Sequence, residues 1–187
     1  MDTDAFWHLI ETARASGPPL HEALMDLLAA RGAEEILAFQ ARVDQLDAAV
    51  DRWDVWAAGY LIGGGCSDDS FMDFKAGLVA LGRPWYERAA RCPDDLAEHP
   101  AVRSAARDHL NDVVFYEEMG SVARAAYGRV TGDEDRFCPA LDHYLAHHGE
   151  PGDRRHDMGE DFDFDDAREM SLRLPRLAAL YRGDVRQ

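Results

Sequence analysis

In almost every stretch of this chain the apolar residues return at intervals of three or four, and nowhere does a one-by-one alternation persist. The first spacing lays apolar side chains along one face of an α-helix, whereas a half-buried strand needs the second. "TDAFWHLIETARA" opens with Thr/Asp capping residues and puts Phe6, Trp7, Ile10 and Ala13 on one face; "SGPP" stops it. "LHEALMDLLAARG" is a second helix ending at Gly32. From Ala33 to about Ile62 the periodicity continues through Phe39, Val43, Leu46, Val50, Trp53, Ala57 and Tyr60, as one long helix or as two with a break near Asp51.

The glycines of "GGG" end that run, and "DDSFMDFKAGLVALG" turns Phe71, Phe74, Leu78 and Leu81 inward. Pro84 suits the N1 position of the next helix, and a later one runs from about His109 to Val130. After Gly132 the chain becomes rich in acids, Gly and Pro, with one short helix near 139–148. "AREMSLRLPRLAALYRG" is apolar again and should dock back. The expectation is an all-α, compact multi-helix bundle of about seven to nine helices in a single domain, 1–187. An acidic, loop-rich insertion at 133–165 packs on it or extends from it.

Charge narrows the partners. The net charge is −16, which repels phosphate backbones and argues against nucleic acid. No apolar run approaches the roughly 20 residues of a membrane span, and the acidic start "MDTDAFWHLIE" lacks the basic region of a signal peptide. Cys66, Cys92 and Cys138 are odd in number with no CxxC spacing, which points to a reducing, cytoplasmic interior rather than a disulfide scaffold. Lys75 is the sole lysine, so Schiff-base chemistry has almost no candidate. A protein, basic for preference, or a small molecule is the partner expected. Oligomeric state is left open.

The stretch "GGGCSDDSF", Gly63 to Phe71, supports two readings. As a turn, its glycines supply positive φ after a helix, and Ser67, Asp68 or Asp69 caps the next, a cap being worth about 0.5–2 kcal/mol. As a site, its glycines let backbone approach a ligand, Cys66 sits near a helix N-terminus, and Asp68 and Asp69 act as bases. A thiolate beside two aspartates suffers like-charge repulsion, so a carboxylate site using Asp54 and Asp68 fits better than a cysteine nucleophile. Trp53 and Trp56 are core or ligand-binding aromatics, together with Cys66 and Ser67. Asp54 between them needs a partner such as an arginine, and Glu117 is a further acid/base candidate. His143 and His147, at i and i+4 with His156 downstream, allow a divalent metal, although "HYLAHH" lacks the glutamate of HExxH. No cofactor is otherwise expected.

"FWHLIETAR", "EEILAFQARVDQL", "RWDVWAAGYLIGGGCSDDSFMDFKAGLVALGR" and the ending from "FDFDD" to "LPRLAALY" together resemble the bacterial family known as domain of unknown function 4240, most specifically over Trp53–Arg83. The resemblance implies a mainly helical fold and, through relatives that sit beside modification or regulatory domains, a regulatory role. It implies no catalytic residue. The functions in view are an interaction or regulatory module, a small enzyme or ligand-binding protein with a carboxylate-lined pocket at Trp53/Asp54 and Gly63–Asp69, and divalent-metal binding near His143 and His147.

Overall fold

The computed structural model describes residues 1–149 and 157–182. They form eleven α-helices and no strand: α1 (Thr3–Ala15), α2 (Leu20–Ala29), α3 (Ala33–Val50), α4 (Trp53–Gly63), α5 (Asp68–Ala80), α6 (Arg83–Arg91), α7 (Pro100–Asp108), α8 (Glu117–Thr131), α9 (Phe137–His148), α10 (Ala167–Arg173) and α11 (Pro175–Arg182). A 3-10 segment, Pro93–Glu98, precedes α7, and another, Glu134–Arg136, precedes α9. The class is all-α as the periodicity requires. The helix count exceeds seven to nine because the chain breaks more often than its apolar spacing reveals. The run from Ala33 divides at Asp51 and Arg52. The final apolar stretch divides at Leu174, the residue before Pro175, where the α region is disfavoured. Nor does a helix begin near His109: that residue closes α7 in the left-handed region, φ 55°, and regular structure resumes only at Glu117.

The described residues fall into two compact units. One comprises Met1–Ala48 with the described part of Glu117–Arg155. Its α1 is capped by Asp2, whose carboxylate accepts from the Ala5 N–H at 2.7 Å. The apolar stripe of α1 is buried at Phe6, Trp7, Leu9, Ile10 and Ala13. Phe6 stacks on Phe39 of α3 with ring centroids 4.9 Å apart. α2 lies against both α1 and α8.

The other unit comprises Ala49–Tyr116 with the described part of His156–Gln187. Two contacts set its geometry. At Gly77 of α5 the Val114 carbonyl comes so close that a Cβ would lie 1.4 Å from its oxygen. The Tyr116 N–H donates to the Asp73 carbonyl at 3.0 Å. The loop after α7 therefore lies directly on the α5 backbone, which only glycine permits.

The second contact is electrostatic. Asp94, in the 3-10 segment, is 4% exposed. Its carboxylate accepts from the N–H groups of Arg176 and Leu177 at 2.9–3.1 Å and from the Arg176 Nε at 3.0 Å. Those N–H groups stand in the first turn of α11 without an intrahelical acceptor. A residue more than eighty positions away thus caps this helix. The Arg176 guanidinium also reaches Asp95 and, at 2.7 Å, Glu98. Arg88 holds Asp95 and Glu98 from the other side at 3.3 and 2.5 Å, its guanidinium carbon 4.5 Å from the centre of the Trp85 ring.

The hydrogen bond from Arg176 holds the Asp95 carboxyl below its ordinary pKa, and that from Arg88 does the same for Glu98. A lowered folded-state pKa contributes stability above the unfolded value, near pH 4, and loses it as pH falls through the folded value. The urea midpoint should accordingly drop between about pH 5 and about pH 3, and Arg176→Gln should flatten that drop. Asp94→Ala leaves two N–H groups at the start of α11 without an acceptor and takes one of three carboxylates from Arg176, so it should destabilise by about 2 kcal/mol in urea melts. Gly77→Ala, which has no room to relax against backbone, should cost about 3 kcal/mol or more.

Candidate functional site

Each residue of "GGGCSDDSF" has a definite place. A Cβ on Gly63 would come within 2.8 Å of the Phe115 ring. Gly64 takes the left-handed conformation, φ 66°, that terminates α4, and its N–H bonds back to the Tyr60 carbonyl. Ser67 caps α5, its Oγ accepting from the Ser70 N–H at 3.3 Å and lying 3.0 Å from the Ser70 hydroxyl. Asp68 and Asp69 are the exposed acids of the first turn, where the helix dipole favours them. The Cys66 carbonyl accepts from the Trp56 indole at 3.0 Å, and burial pushes its thiol up to about 11, so the thiolate is disfavoured at neutral pH.

Trp53, Trp56 and Cys66 therefore share one neighbourhood. Trp53 stacks on Trp56 at 5.5 Å, and Trp56 on Phe71 at 4.7 Å. Asp54 is occupied elsewhere. Both its oxygens take a bidentate hydrogen bond from Arg52 at 3.0 and 3.1 Å, while a third Arg52 nitrogen donates to the Ala90 carbonyl. The arginine partner expected for Asp54 is thus two residues upstream.

The segment 157–166 lies over this aromatic group. Phe164 meets Trp53, Trp56 and Tyr60 with centroids 5.5–6.4 Å apart, and Phe162 meets Phe164 and the Arg173 guanidinium. The Trp53 N–H donates to the Met158 carbonyl, and the Tyr60 hydroxyl to Asp165. In "EDFDFDD" the two phenylalanines serve as anchors, and Asp161, Asp163 and Asp165 between and beside them are exposed.

Glu117 is exposed in the first turn of α8. Arg124, further along the same helix, pairs with Asp135 at 3.0 Å. His143 and His147 do meet, with ring centroids 4.1 Å apart. The His147 Nδ1 lies 2.8 Å from the His143 carbonyl oxygen. A carbonyl can only accept, so Nδ1 carries the proton and Nε2 of the neutral ring is left as an acceptor. Among the described residues no group of three His, Cys, Asp or Glu side chains is placed to hold a metal ion, and His156 lies outside those residues.

The two histidines instead line a pocket of about 400 Å³ between α3 and α9. Glu34 and Leu37 face it from α3; Ala140, Tyr144 and His148 complete the wall on α9. Tyr144 and His148 are stacked at 4.3 Å and 22°. The sequence signal for this wall was available: positions 140, 143, 144, 147 and 148 form one helical stripe. Glu34 and Leu37 carried no such signal, since their role depends on how α3 meets α9. Asp94 and Arg176 were likewise invisible, being 82 positions apart in the sequence.

The lifted Cys66 thiol gives a direct check on the turn. In iodoacetamide labelling at pH 8, followed by peptide mass spectrometry, Cys66 should react at least about tenfold more slowly than exposed Cys138. Equal rates would mean the thiol is neither shielded nor raised.

Among the described residues no helix is long and apolar enough to cross a membrane. No curated protein and no solved structure matches this chain. One family model does, over residues 1–129, so the match takes in α1 to α7 and most of α8 but stops before the imidazole-lined stripe and the acidic segment. By that match the chain belongs to the family described as "Protein of unknown function (DUF4240)".

Proposed function

We propose that the protein is an interaction or regulatory module whose partner presents a basic, amphipathic segment. The observation that carries this reading is the outer face of α5. Asp68 and Asp69 are exposed there without a cation among the described residues, and Met72, one turn on, is 64% exposed. Positions 68, 69 and 72 share a face because residues three and four apart are neighbours on a helix. An uncovered thioether beside uncompensated carboxylates complements a helix that alternates arginine with leucine, and methionine adapts readily to different apolar partners. The net charge of −16 adds long-range attraction that speeds encounter with a cationic partner.

The catalytic alternative is less well supported by the same residues. Asp54 is tied to Arg52, Ser67 caps a helix and the Cys66 thiol is raised, so each has a structural task that competes with turnover.

Calorimetric titration with a helical peptide of arginine and leucine should show saturable one-to-one binding that weakens with salt. Asp68→Asn with Asp69→Asn should reduce affinity about tenfold, and Met72→Ser about threefold. Glu118→Gln, at another exposed acid, should leave it unchanged. If Glu118→Gln weakens binding as much as the α5 changes, the attraction is to net charge alone and the assignment to α5 fails.

A further inference from the structure

The stripe on α9 poses a separate question, because its exposed side chains border a concavity rather than a flat surface. His143, His147 and His148 are exposed and Tyr144 is half-buried, yet with Glu34 and Leu37 of α3 they enclose about 400 Å³ of open space. That volume lies within the range of small-molecule sites, which combine apolar walls with a few convergent polar groups.

The polar groups that the geometry fixes are acceptors. Nε2 of His147 is one in the tautomer that the His143 carbonyl selects by holding a proton on Nδ1. The Glu34 carboxylate on the opposite wall is another. Leu37 and Ala140 supply apolar surface, and the Tyr144/His148 pair supplies a ring face against which a flat group can lie. Flatness, size and acceptor-rich walls together select for a planar aromatic molecule that brings its own N–H donors. A planar anion would face the Glu34 carboxylate and the strongly negative net charge, so it is disfavoured on both counts.

We infer that the α3–α9 pocket is a binding site for a planar nitrogen heterocycle or arylamine, neutral or cationic, stacked on Tyr144 and donating to Glu34 and His147. This site is independent of the α5 face and stands or falls without it.

The test is a titration of the full chain with 2-aminobenzimidazole, followed by NMR of the histidine ring protons. Saturable shifts confined to His143, His147 and His148 are expected. Glu34→Gln should weaken binding about fivefold by removing one charge-assisted hydrogen bond. Ala140→Trp, which fills the pocket without removing a polar group, should abolish it; circular dichroism should confirm that both variants keep their helices. The inference is overturned if millimolar 2-aminobenzimidazole moves none of these resonances, or if Ala140→Trp leaves binding intact. It is overturned equally if 2-naphthoate binds as tightly as the amine. Zn²⁺ alone saturating the same imidazoles while the amine moves none of them would make the stripe a metal site instead.

Discussion

The carboxylate of Asp94 is the point on which the second unit turns. It is a nearly fully buried charge, and such a charge persists only where hydrogen bonds and an opposite charge replace the water it has lost. Here three N–H donors do so, all belonging to Arg176 and Leu177 at the start of α11. The arrangement satisfies two needs together: the carboxylate is compensated, and the first turn of α11 gains the side-chain acceptor that the aliphatic Leu174, standing just before it, cannot supply. With the helix start fixed, Leu177 and Ala178 are directed inward and buried. Arg88, Asp95 and Glu98 extend the ion pairing toward water, where each individual pair is worth less.

Glycines do for the loop after α7 what Asp94 does for the C-terminal helix. Gly77 admits the Val114 carbonyl and Gly63 the Phe115 ring, so the loop lies directly on α5 and the end of α4. This accounts for a glycine in the middle of α5, where it lowers helix propensity by about 1 kcal/mol relative to alanine. It also answers what the triple glycine is for. Gly63 makes room, and Gly64 closes α4 in the left-handed region. The serine that follows caps the next helix, and the acids after it lie in the first turn, where the dipole favours them.

The two surfaces proposed for binding differ in how they arise. On α5 the side chains that matter are those the core has no use for: carboxylates in a first turn and a methionine one turn further on, all left in water. On α9 they are exposed imidazoles and a half-buried phenol that, with Glu34 and Leu37 of α3, border a concavity. The first is an electrostatic and apolar surface suited to a protein segment. The second is a concavity suited to a small molecule.

Much of this was legible in the sequence. The period of the apolar residues determined that the chain is all-α, and glycine, proline and serine marked the ends of α1, α4 and α5, because those signals are local: a helix face and its caps are written within a few residues. His143 and His147 could be paired for the same reason, being one turn apart. The cap that Asp94 provides from afar, the Phe164 anchor on Trp53 and Trp56, and the meeting of Glu34 with the α9 stripe were decided only by the tertiary structure. Each depends on residues far apart in the chain whose encounter is set by packing and ion pairing, and no periodicity records which distant partner a buried carboxylate or an aromatic ring will find.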